Sequence, residues 1–372
     1  MPQIQHIENA IKRFLIILIG ITGRSYAQSD VVVFSGNTHA GCYDSSPVTS
    51  IPKQKWEFEM PANNCSDPII IGDIILVNAY NKENNKGHQF ALDKNTGKEI
   101  WRNDISEQLS TPTVKGDKAL YGSKSNMTIA LDLKTGNEIW RYTDISGMTC
   151  VAPAVIDDRV YFGNHGKEWC IVDIHNGSLI KKQMVEAGIC CFPSWDNKYV
   201  YFTDWAGNLH KQDIFSLTET FIMYRTDKSS HVAPTIINNI GIMTNDNGLL
   251  ISVDLDTGKE IWRFQTDGKL WRSPSVKDNI CLIITDNSHI YGIDIQNGNA
   301  IWEAKKEGVI YTSASITDHI AYVSCGDQKI YAFELYSGKE IWHIQLHDVA
   351  GQPFIENQTL YFTSGGKVLA YQ

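Results

Sequence analysis

A phrase of 11 residues returns along this chain at a nearly fixed spacing, and no other feature restricts the fold as much. Residues 91–101 read Ala-Leu-Asp-Lys-Asn-Thr-Gly-Lys-Glu-Ile-Trp, with further copies at 130–140, 252–262, 292–302 and 332–342. Weaker copies occupy 171–181 and 211–221. The acidic position of successive copies (93, 132, 173, 213, 254, 294, 334) advances by 39 to 41 residues each time. Such a period belongs to stacked or radially arrayed units, none of which can bury its apolar face alone.

Each unit reads as four short strands. The first starts near a proline (Pro68, Pro112, Pro153, Pro193, Pro234, Pro274, Pro353, with Ala314 in the seventh unit). The second is a β-branched or aromatic run such as Val160-Tyr161-Phe162, the third ends at the Asp, and the fourth carries the Trp. Between the last two, the Asp carboxylate can accept bonds from turn N–H groups while Gly supplies a positive φ. Four strands per period of about 40 residues predict an all-β fold, an eight-bladed β-propeller of four-stranded blades. Seven units are complete and the eighth stops at Gln372 after three strands. Its Trp-bearing strand is expected from the other end of the chain, at Gln54-Lys55-Trp56-Glu57-Phe58, which closes the ring and covers two sheet edges. Trp56, Trp101, Trp140, Trp262, Trp302 and Trp342 are the expected blade-docking residues. Lys181 and Phe221 stand at two Trp positions and Leu217 at one Gly, so blades 3 and 4 are expected to dock less regularly.

The phrase Ala-x-Asp-x-x-Thr-Gly-Lys-x-x-Trp resembles the tryptophan-docking motif of the pyrroloquinoline-quinone (PQQ) repeat propellers, over nearly the whole chain after residue 50. The segment Phe34-Ser35-Gly36-Asn37-Thr38, through Gly41 and Tyr43, also resembles what precedes such propellers. The Gly-His and Trp-Asp marks of WD repeats do not recur with the period: Gly87-His88 and Trp195-Asp196 each occur once. The resemblance extends to two kinds of protein: outer-membrane assembly lipoproteins, which bind partner proteins, and quinoprotein dehydrogenases. The latter are longer, with large loops over the quinone, a calcium-ligating set and a catalytic Asp. Here each repeat is close to 40 residues, no insertion is large enough for a lid, and no Asp matches the catalytic position.

The first residues read as an address. Lys12 and Arg13 precede an apolar run from Phe14 to Ile21, and Ser25-Tyr26-Ala27 places small residues at −3 and −1 of a cleavage site. The expected divisions are a signal peptide at 1–27, a leader at 28–50 and the propeller at 51–372. No Cys follows the apolar run closely enough for a lipoprotein anchor, so the processed chain is expected to be exported, periplasmic or extracellular, monomeric and not membrane-spanning. A net charge of −9 argues against a nucleic-acid partner.

The candidate site lies where the first strands begin, on the face opening to the central funnel. The residues three before each proline position are Cys65, Leu109, Cys150, Cys190, His231, Trp271, Tyr311 and Ala350. Cys191 and Arg272 adjoin this ring, and neighbouring turns add Asn164, His165, Asp204, Trp205, Asp246, Asp286, Cys325 and Asp327. The ring cysteines have three readings: small apolar wall residues, disulfide chemistry, or a soft-metal or zinc site of Cys150, Cys190 and His231. The resemblance to quinoprotein alcohol dehydrogenases implies a disulfide between Cys190 and Cys191. Consecutive strand residues point to opposite faces, which favours two free thiols, one toward the funnel and one into the blade. The expected function is a non-catalytic binding or scaffolding propeller for a protein or peptide. The alternative is a quinone- or metal-dependent oxidoreductase, with PQQ or a metal ion in the funnel.

Overall fold

The Asp-x-x-Thr-Gly turn builds the blade as its chemistry requires. Asp93 Oδ1 accepts hydrogen bonds from the Asn95 and Thr96 N–H groups and the Thr96 hydroxyl, at 2.7–3.1 Å. Gly97 has φ 69°, and a Cβ there would lie 2.5 Å from the Trp56 ring, so the glycine is required both for the turn and for docking. The register of the last two strands of blade 1 shifts opposite this turn, between Ala91 and Leu92, and at the equivalent position in blades 2, 3, 5, 6 and 7, whereas in blade 4 it shifts two residues earlier, between Leu209 and His210.

In a computed structural model of the chain, residues 31–33, 41–43, 45–62, 64–105 and 107–372 are described. The expected signal peptide at 1–27 and the motif at 34–38 lie outside them. Eight antiparallel four-stranded sheets follow one another as an eight-bladed β-propeller. Blade 1 is Ile69–Ile71, Ile74–Asn81, Lys86–Asp93 and Glu99–Ile105. Blades 2 to 7 span 113–142, 154–184, 194–225, 235–265, 275–305 and 315–345. Blade 8 joins Phe354–Glu356, Thr359–Ser364 and Lys367–Tyr371 to Gln54–Glu59, which pairs antiparallel with the last of these. The N-terminal strand therefore completes the ring, and no helix among the described residues is long and apolar enough to cross a membrane.

The blades are joined at two radii. At the outer one, indole N–H groups donate to a carbonyl of the next blade: Trp56 to Lys94, Trp101 to Leu133, Trp140 to Ile174, Trp262 to Ile295 and Trp302 to Leu335. Trp342 donates instead to Val48 of the leader. At the inner radius, first-strand hydroxyls donate to the residue that opens the next blade. Thr113 bonds Pro153 O, Ser194 bonds Pro234 O, Thr235 bonds Pro274 O, Ser275 bonds Ala314 O and Ser315 bonds Pro353 O, at 2.5–2.7 Å.

Blades 3 and 4 lack the tryptophan but not the polar contact. The carbonyl of Ile214, where an indole would bond, accepts from Arg159 Nη1 at 2.6 Å, and that of Leu255 accepts from Lys211 Nζ. Lys181 itself donates to Leu217 O at 2.7 Å, and with no ring overhead the Gly position tolerates Leu217 at φ 49°. A stack fills the remaining space. Trp169 of blade 3 lies 4.0 Å from Phe202 of blade 4 at an interplanar angle of 18° and donates to Gln212 Oε1.

The leader is part of the ring. Val31–Val33 pairs antiparallel with the first strand of blade 2, and Cys42–Tyr43 pairs parallel with that of blade 7. Two inner strand edges thus carry an added strand. The Val48 N–H donates to the Tyr322 hydroxyl, 2.7 Å away, which fixes the path between that pairing and blade 8.

Candidate functional site

The start of each first strand and the turn between second and third strands share one face, and the funnel opens there. Its cavity, of about 360 Å³, is lined by Cys190, Cys191, His231, Trp271, Arg272 and Tyr311 among others. Trp271 and Tyr311 are exposed, at 45% and 57% of full accessibility. Arg272 is half-buried, its Nη1 donates to Trp271 O at 2.9 Å, and its Nε is buried without a hydrogen-bond partner. Burial pulls its guanidinium below the usual arginine range, against the opposing charge of Asp67. Asp67, also at the cavity, accepts the Gln352 N–H at 2.9 Å, and burial pushes its carboxyl up to about 6. His231 Nε2 lies 3.1 Å from Asp246 Oδ2, beside the Trp205 ring.

The cysteines separate into different environments, and Cys65, Cys150, Cys170, Cys190, Cys191, Cys281 and Cys325 are free. Cys65 sits on a short strand, Asn64–Cys65, paired with the second strand of blade 1, where its thiol donates to Ala62 O and burial pushes it up to about 12. Cys191 turns into blade 4: its thiol donates to Thr203 O and accepts the Thr203 N–H, both at 3.3 Å. Cys190 faces the other way, where a hydrogen bond from it holds the Cys150 thiol well below its usual range, with burial opposing and Lys124 assisting. That same bond, with burial, raises Cys190. The group that Cys150 and Cys190 meet is His165, not His231. Cys150 Sγ lies 3.3 Å from His165 Nε2, and the three donor atoms fall within 4.8 Å of one another.

Most other ring positions serve the scaffold. Leu109 and Ala350 are buried and bridge to Ser123 and Ser364. Asn164 is spent on Glu168, Asp204 on His210 and Asn208, and Asp286 on the Lys269 N–H. Asp327 accepts from Tyr331, and Cys325 donates to Glu307 O at 3.0 Å. Sequence reading missed Asp67 and Gln352. Asp67 directly precedes Pro68, a repeated offset that would have marked it.

The family model described as outer membrane protein assembly factor BamB matches residues 84–190 and 205–372. No curated protein sequence matches the chain. Among solved structures, BamB from Moraxella catarrhalis is 16% identical with a TM-score of 0.70, covering 87% of this chain and 98% of that one. The computationally designed Ika8 protein is 12% identical with a TM-score of 0.71, over 86% and 99%. A europium-containing methanol dehydrogenase is 13% identical with a TM-score of 0.74, over 90% and 89%. Identities this low show the propeller fold alone.

A hard cation of the calcium or lanthanide kind takes about six or more oxygen ligands. Among the described residues, the one group of three His, Cys, Asp or Glu side chains with converging donors is Cys150, His165 and Cys190, a soft set. That set suits a thiophilic ion, not a hard cation. The opposed directions of Cys190 and Cys191 likewise give no adjacent-disulfide platform.

Proposed function

Because the chain belongs to the outer membrane protein assembly factor BamB family, we propose that it is an exported, non-catalytic propeller that binds a protein partner through the funnel mouth. On this reading residues 1–27 are removed on export and 28–50 remain as the leader of the propeller at 51–372. The observation that carries it is the convergence of exposed Trp271 and Tyr311 on the half-buried Arg272. These residue types dominate the energetics of protein interfaces, where a large rigid ring fills a pocket and a guanidinium meets a carboxylate. The unpartnered Arg272 Nε supports an acidic side chain or chain terminus as the partner's polar anchor. Two inner strands already accept added strands from the leader, which supports an extended segment as the bound form.

Photo-crosslinking tests the reading. With a photoreactive phenylalanine replacing Tyr311 in expressing cells, one discrete protein adduct is expected. Trp271→Ala or Arg272→Ala should weaken its formation by at least about tenfold, the effect of losing an interface anchor worth about 2 kcal/mol. Absence of any protein adduct, together with stoichiometric PQQ binding and dye-linked alcohol oxidation, would sink it.

A further inference from the structure

The junction of blades 3 and 4 presents a second chemistry that the peptide-binding reading does not use. We propose that Cys150, His165 and Cys190 form a site for one thiophilic d10 cation, copper(I) or zinc(II), held by two thiolates and an imidazole. The repeat creates the pair of sulfurs, since Cys150 and Cys190 occupy the same position in consecutive blades, each three residues before a proline. His165 comes from the turn between the second and third strands of blade 3, and its Nε2 lies within 4.8 Å of both sulfurs.

The spacing suits coordination. A metal bonded at about 2.3 Å to sulfur and about 2.0 Å to nitrogen holds neighbouring donors roughly 3.5–4.0 Å apart in a tetrahedral or trigonal set. Cys150 Sγ and His165 Nε2 are 3.3 Å apart, and no pair in the group exceeds 4.8 Å, so closure on a metal needs only small side-chain shifts. Both the backbone and the ring of His165 are supported. The His165 backbone N–H donates to Met148 O at 3.1 Å, which fixes the turn, and its ring packs on Trp205 with centroids 4.6 Å apart. The Trp205 backbone is fixed in turn by its N–H bond to Gly188 O at 2.9 Å. Such support reduces the ordering that a ligand set must undergo on binding. All three side chains are half-buried, which leaves an approach open and a position for water on zinc. Cys191 cannot compete, because its sulfur is committed to the Thr203 backbone.

The test is a titration of the full, reduced chain in competition with a chromophoric chelator, with Zn²⁺ and Cu⁺ in separate arms. One equivalent is expected in at least one arm, with Cys150 and Cys190 the two thiols protected from alkylation in peptide maps. Cys150→Ser and His165→Ala should each weaken binding by at least about tenfold, while Cys325→Ser and Trp271→Ala leave it unchanged. Trp271→Ala separates this site from the partner site. The proposal is overturned by substoichiometric binding in both arms or by full binding in the Cys150→Ser and His165→Ala variants. A Cys150–Cys190 disulfide in chain isolated without reductant also overturns it.

Discussion

A chain shortened to begin at Met60 will show no cooperative thermal transition. The deletion removes Gln54–Glu59, and with it the outer strand of blade 8. Trp56 is lost from its bond to Lys94 O and from its seat on Gly97, and Phe58 from its edge contact with Phe90, at 5.4 Å between centroids. The strand Lys367–Tyr371 becomes an unpaired edge, and Trp342 loses the Val48 carbonyl that its indole bonds. Truncating a buried aromatic ring costs about 3–5 kcal/mol, and somewhat less for half-buried rings such as these. Several such losses approach the whole net stability of a domain, about 5–15 kcal/mol. Trp56→Ala alone should keep a cooperative transition at lower temperature. Circular dichroism melting of the two proteins distinguishes the cases, and an unchanged curve for the shortened chain would refute closure of the ring by this strand.

The second large effect is expected at Asp204, a carboxylate with no exposed surface. It accepts from His210 Nε2 at 2.8 Å, from Asn208 Nδ2 at 2.9 Å, and from the N–H groups of Ala206 and Asn208 at 3.0 Å. His210 stacks on Phe202 at 4.6 Å, so this group supports the stack that replaces tryptophan docking between blades 3 and 4. Asp204→Ala orphans four donors away from water and should destabilise the fold by at least about 3 kcal/mol, since each buried donor left unsatisfied costs about 1–3 kcal/mol. Denaturant unfolding measures it. The pH dependence has a definite sign. Burial raises the carboxyl, but the bonds from His210 and Asn208 outweigh it and hold the folded pKa below the usual aspartate value. The contribution of Asp204 is therefore complete above about pH 3.9 and is lost as the pH falls through the lower folded value. Asp204→Ala should lose part of the acid branch of the stability profile. A variant as stable as the parent, with the same acid branch, would contradict the role given to this carboxylate.

The period of the repeat made the fold legible, down to the division of blade 8 between the two ends of the chain. The repair of blades 3 and 4 was not legible, because Arg159 and Lys211 reach the bare carbonyls from strand positions other than the one the tryptophan occupies. Nor was the course of the leader, since strands of two and three residues carry no periodic pattern. At the site, counting from the prolines put Cys150 and Cys190 in equivalent positions. It paired them with His231 because that residue continues the same count, whereas contact at the rim depends on how a turn of one blade overhangs the next. His165 meets them from such a turn. Cys65 has the right count but is drawn onto the second strand of blade 1, which continues past its neighbours' length to Asn81.

Closure of the ring by its own N-terminal strand is the central claim, and one crosslink tests it directly. Lys53 and Gln372 exchange two backbone hydrogen bonds of 2.9 Å, a pairing that brings Cα atoms to about 5.5 Å, within disulfide range. In the Lys53→Cys/Gln372→Cys variant, mild oxidation should join these two positions, and peptide mass mapping should recover the linked ends. Engineered thiols that stay free and alkylatable, in a protein that melts like its parent, would contradict the closure.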